Sequence, residues 1–209
     1  MLYDEEGFHL DNIMSVTCTA FEGTRMIASG DLLSVALKAK KVVDRGETGP
    51  VLIFDDVTSE VIEVDFRGTD DDVRGRLAPP AAPDQPAGEI RRGPGRPKLG
   101  VVAREITLLP RHWEWLNRQP GGASVALRKL VEEARRANQG MDRLRAAQEA
   151  AYKFMSAMAG NEPGYEEALR ALFGHDETRF RQMVESWPPA VRKQACLLAA
   201  AAFAARPVS

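Results

Sequence analysis

The chain has 209 residues, 44% hydrophobic and 28% charged, the balance of a globular protein long enough for one large domain or two small ones and a linker. Its longest apolar run, residues 197–205, is too short to cross a bilayer, and its two cysteines and three histidines, unclustered in sequence, exclude a disulfide framework and argue against a metal centre. The net charge of −2 conceals a division: 16 acids and 8 bases in residues 1–76, 13 bases and 5 acids in residues 91–145, and 7 of each in residues 146–209.

The opening "MLYDEEGFHLDN" is acidic and lacks the basic start and apolar stretch of a secretory signal; a cytoplasmic location is expected. "SVTCTAFEGTRMIASG" alternates apolar and polar residues about Glu22, Gly23 and Thr24, which predicts a hairpin turning at Gly23. In "DLLSVALKAKKVVDRG", Asp31 suits an N-cap, Leu33, Leu37, Val42 and Val43 recur at helical spacing, and Gly46 suits a C-terminal stop. "PVLIFDDVTSEVIEVDFRG" predicts a second hairpin, with Val51 and Ile53 on one strand and Val61, Ile62, Val64 and Phe66 on the other. The first module, residues 13–76, is thus expected to be a small ββαββ domain. Asp70, Asp71 and Asp72 are adjacent, without the alternation of a calcium loop, and read as a loop or helix start.

"APPAAPDQPAGE" is proline-rich and aperiodic, and with the cationic "RRGPGRPKLG" it makes a linker over residues 77–100. "AREITLLP" is a strand candidate ending at Pro110, whose fixed φ suits the first turn of the helix "RHWEWLNRQ". Trp113 and Leu116 share one side of that helix, and Trp115 is expected against a neighbouring helix or a second copy. After "PGGA", Ser124 is expected to cap "SVALRKLVEEARRA", with Leu127, Leu130, Val131 and Ala134 as its apolar stripe and Arg128, Lys129, Arg135 and Arg136 largely outside it. Residues 101–138 therefore read strand, helix, turn, helix. Residues 139–209 hold four further helical stretches and are expected to form a helical bundle, giving an α+β chain of four parts.

The segment 101–138 resembles a ribbon-helix-helix domain, on the strand that meets Pro110 and the Gly-Gly turn before "SVALRKL". The resemblance implies a homodimer whose paired strands enter the major groove of double-stranded DNA, with Gly121 to Val125 at the start of the second helix holding a phosphate. Arg104, Ile106 and Leu108 would share one strand face, and Glu105, Thr107 and Leu109 the other. Glu105 departs from the pattern: phosphates repel it, although a carboxylate accepts from a cytosine amine. The whole chain is also similar to an uncharacterised bacterial family, the domain of unknown function numbered twenty-two thirty-nine. That likeness rests on "TAFEGTRMIASG", "GRPKLGVVAREITLLPRHWEWLNRQPGGASVALRKLVEEARR" and "WPPAVRKQA", and it implies a bacterial origin without an activity.

"GPGRPK" resembles an AT-hook, in which an extended Gly-Arg-Pro enters a narrow A·T minor groove. Pro94 stands where an arginine is usual, with Arg91 and Arg92 close by. Alone, these residues read first as a solvated linker; their place before the strand candidate favours contact with DNA. The expected nucleic-acid contacts are Arg91, Arg92, Arg96, Lys98, Arg104, Thr107, Gly122, Ala123, Ser124 and Arg128.

No nucleophile elbow, phosphate loop, metal-binding helix or dinucleotide fingerprint occurs, so neither catalysis nor a cofactor is expected. The leading expectation is a bacterial DNA-binding protein, a transcriptional regulator or nucleoid-associated factor. The alternative is an interaction or dimerisation protein whose basic middle docks onto its own acidic head or an acidic partner.

Overall fold

A hairpin opens the fold, as its alternation predicts. Strands β1 (Thr17–Glu22) and β2 (Arg25–Asp31) pair antiparallel about a turn in which Gly23 takes φ +52°, a left-handed value that glycine adopts without steric cost. The computed structural model to which these strands belong describes residues 17–46, 48–78, 102 and 104–205. It divides into two units, residues 1–80 with 140–209, and residues 81–139.

In the first unit, helix α1 (Leu32–Asp44) starts where Asp31 accepts from the Ser34 amide at 2.9 Å. Its buried face is Val35, Ala36, Ala39, Lys40 and Val42, whereas Leu33, expected in the apolar stripe, is exposed. Strand β3 (Val51–Asp55) then pairs antiparallel with β1, so the sheet order is β2-β1-β3.

The expected fourth strand does not form. It is limited to one bridge, Phe54 to Val61, made by two hydrogen bonds, from the Asp55 amide to the Glu60 carbonyl at 2.9 Å and from the Ile62 amide to the Ile53 carbonyl at 2.8 Å. Beyond that point Ile62, Val64 and Phe66 satisfy their alternation by packing against the core shared by α1 and the sheet. The buried Lys40 ammonium holds the segment there, donating to the Phe66 carbonyl at 3.1 Å and to Asp44 at 3.0 Å. The three aspartates begin helix α2 (Asp70–Leu77), where Thr69 and Asp72 form a reciprocal capping box.

The sheet has two apolar faces. Cys18, Ala20 and Ile53 meet α1. Phe21 and Phe54 lie in the core of the C-terminal helices, with ring centroids 5.6 and 5.2 Å from that of Phe154. Residues expected in a separate head and a separate bundle therefore share one core. It is completed by the C-terminal part of α4 (Gly122–Ala159), α5 (Tyr165–Phe173), α6 (Glu177–Met183) and α7 (Pro189–Ala204). Trp187 is buried among them, its indole N–H donating to the Pro163 carbonyl at 2.9 Å.

Helix α4 is continuous over 38 residues. The boundary expected between residues 138 and 139 does not interrupt it, and one interior glycine, Gly140, costs a helix only about 1 kcal/mol. In the second unit, α3 (Pro110–Asn117) starts with Pro110 in its first turn, as expected.

Candidate nucleic-acid interface

The second unit carries the described part of the expected DNA contacts. Residues 104–109 lead into α3 and hold Arg104 and Thr107, both exposed. They form no strand, and among the described residues no strand of the chain pairs with them. A ribbon of the kind the resemblance implies takes its second strand from another chain. Arg91, Arg92, Arg96 and Lys98 lie outside the described residues.

The turn between α3 and α4 is built from two hydrogen bonds, Gln119 amide to Leu116 carbonyl at 3.1 Å and Gly122 amide to Gln119 carbonyl at 2.9 Å. Gly121 and Gly122 both take left-handed φ, +85° and +74°. A Cβ at Gly121 would stand 3.0 Å from the Val125 Cβ. The turn therefore demands glycine, and it starts α4 two residues before the expected Ser124 cap. Ser124 is in the first turn instead, and its carbonyl accepts from the Arg128 Nε at 3.1 Å. The structure thus brings Gly122, Ala123, Ser124 and Arg128 together at one helix end, where first-turn amides lack intrahelical acceptors and the dipole favours an anion.

Residues 104–139 hold seven arginines and lysines against four carboxylates. Arg135 and Arg136 are paired with Glu132 of their own helix at 3.3 Å. Among the described residues Arg104, Arg111, Arg118, Arg128 and Lys129 form no ion pair.

Apolar side chains in the same unit are poorly covered. Leu116 and Ala126 are its buried hydrophobics among the described residues, while Val102, Ile106, Leu109, Trp115, Leu130 and Val131 are exposed, Trp115 by 51% and Val131 by 57%. The apolar stripe expected on the second helix is thus open to solvent at Leu130 and Val131. Trp115, Pro120, Ala126 and Leu130 help to line a shallow cavity of about 180 Å³ beside Lys129 and Glu133.

A family model described as an uncharacterized protein conserved in bacteria (DUF2239) matches residues 17–199. The chain belongs to that family. In this DUF2239 chain the match takes in the three-stranded sheet, helices α1 to α6 and α7 as far as residue 199. No curated protein and no solved structure matches the chain. Among the described residues no helix is long and apolar enough to cross a membrane.

Proposed function

We propose that this protein is a DNA-binding homodimer, acting in transcriptional regulation or nucleoid organisation, that pairs through residues 101–138 and holds phosphates with the basic arm and the start of α4. One observation carries the reading: uncovered apolar side chains and cations that have no carboxylate partner among the described residues coincide in the same short segment. Apolar area left in water costs about 25 cal/mol per Å². A second copy, offering the same residues 104–109 as an antiparallel strand and the same Trp115, Leu130 and Val131 as a facing surface, removes that cost. Pairing two copies also doubles the cation count along one surface, which suits a regularly charged duplex.

In this reading Arg91, Arg92, Arg96 and Lys98 contact the backbone or minor groove. Arg104 and Thr107 lie at the ribbon. Ala123 and Ser124 offer amides to a phosphate beside Arg128, and Gly122, its own amide held by the Gln119 carbonyl, shapes the turn that presents them. Contacts of this kind position a protein without reading bases, and Glu105 disfavours close approach to phosphates, so binding is led by the backbone of DNA. No cofactor or catalytic step is part of the proposal.

The test is a gel-shift titration with duplexes of mixed sequence at two salt concentrations, alongside light scattering for mass. Retention at low salt that weakens steeply with salt supports the reading. A dimer that retains no duplex at low salt ends it and leaves the second reading, a non-enzymatic interaction and dimerisation protein, which the exposed apolar surface favours equally.

A further inference from the structure

The C-terminal helices carry a charged cleft that DNA binding by the middle segment does not use. Arg181, Glu185, Arg192, Lys193 and Cys196 help to line an open cavity of about 370 Å³ between α6 and α7, within the size range of small-molecule sites. Its charged side chains are three cations to one carboxylate.

The fold fixes two of these cations in place. Arg181 lies one turn after Glu177, whose carboxylate accepts from its Nε at 3.0 Å and from a terminal nitrogen at 2.7 Å. Arg192 donates from one terminal nitrogen to the Glu185 carbonyl at 2.6 Å, tying the start of α7 to the chain that follows α6. Each guanidinium has five N–H donors, so both keep donors to spare. Lys193 forms no ion pair among the described residues.

The position of these cations on α7 is unfavourable by itself. No acidic residue occupies the first turn of α7 and no side chain caps it, yet Arg192 and Lys193 lie at that end. A helix N-terminus bears partial positive charge and favours anions, so two cations there repel it and one another. An anion in the cleft reverses both repulsions. Behind Cys196 the walls close on Phe180, Ala200 and Phe203 with no room for a water molecule, so a ligand is held at the polar mouth and not enclosed.

We propose that this cleft binds a small phosphorylated molecule, its phosphate gripped by Arg192, Lys193 and Arg181. A guanidinium fork matches phosphate geometry, and the lysine adds a compact point charge. Glu185 is placed to accept from a hydroxyl or amine of the same ligand. The site is built from residues 177–203 and does not rest on DNA binding by the middle segment.

Cys196 reports on the cleft because it lines it, whereas the other cysteine, Cys18, is fully buried. The experiment alkylates the full-length protein with iodoacetamide, a neutral reagent, with and without inorganic pyrophosphate at fixed ionic strength, using Cys196→Ser as the background. If pyrophosphate occupies the cleft, the rate of Cys196 alkylation drops about tenfold at ten times Kd, as the free fraction does. Lys193→Gln removes a side chain outside the fold's own contacts, and Arg192→Lys keeps the charge but loses the fork. Each is compared with its own rate without pyrophosphate, and each weakens the protection. Citrate, a carboxylate probe of similar charge, protects less. Absence of protection, protection unaltered in both variants, or equal protection by citrate overturns the proposal.

Discussion

The ring of Phe54 in β3 lies 5.2 Å from that of Phe154 in α4, their planes at 71°, and Phe21 of β1 completes the cluster at 6.2 Å from Phe54. The edge-to-face geometry is the one aromatic quadrupoles prefer. It joins the N-terminal sheet to the C-terminal helices, although a proline-rich stretch and helix α3 separate them along the chain.

A cooperative unfolding transition follows from that cluster. Phe154→Ala is expected to cost about 3–5 kcal/mol, because the side chain is fully buried and leaves a cavity. Loss of helix by circular dichroism and of Trp187 burial by fluorescence should coincide in urea, and both midpoints should move together in the variant. A sheet that melts apart from the helices would show two midpoints.

Local signals were legible in the sequence, and non-local ones were not. Asp31 as a cap, Gly23 in its turn and Pro110 at a helix start each act within a few residues, and each is found as expected. The strand expected at residues 61–66 fails because period-two alternation records which side chains are buried, not what the backbone pairs with. Ile62, Val64 and Phe66 are covered, but the Phe66 carbonyl bonds Lys40 in place of a neighbouring strand. Ser124 was expected to cap α4 because the Gly121-Gly122 pair reads as a breaker, yet its left-handed conformation is what launches the helix. The meeting of Phe21, Phe54 and Phe154 leaves no periodic trace at all.

Acid should loosen the N-terminal sheet region through identified carboxylates. The Thr69 amide and hydroxyl hold the Asp72 carboxyl below its ordinary range, the Ser34 amide does so for Asp31, and Arg67 does so strongly for Asp65. For each, the folded-state pKa lies below the unfolded one. The stabilisation is therefore complete above the unfolded carboxylate value, about pH 4, and is lost as pH falls through the folded value. Asp72→Asn removes one such group. Urea midpoints of the variant and the parent should differ most at neutral pH and converge below about pH 4. A gap that persists in acid would mean that Asp72 acts through shape and not charge.

Association through the middle segment is tested by charging its open face. Leu130 and Val131 are exposed in the single chain, so Leu130→Glu with Val131→Glu should leave the circular dichroism spectrum of the monomer unchanged. Glutamate is also a good helix former. The measured mass should fall from that of a dimer to that of a monomer, since carboxylates at the centre of a paired surface are desolvated without partners. A variant that remains dimeric places the contact elsewhere.

The number of phosphates held can be read from salt dependence. For duplex DNA the slope of log affinity against log salt is about 0.9 per phosphate neutralised. Arg128→Gln removes one cation beside the amides of Ala123 and Ser124, and it leaves the helix dipole intact. It should lower the magnitude of the slope by about one per chain and weaken all sequences alike. Arg104→Gln, at the start of the proposed ribbon, should act in the same way. Should Arg128→Gln leave the slope unchanged while Arg104→Gln lowers it, the ribbon and not the start of α4 carries the backbone contact.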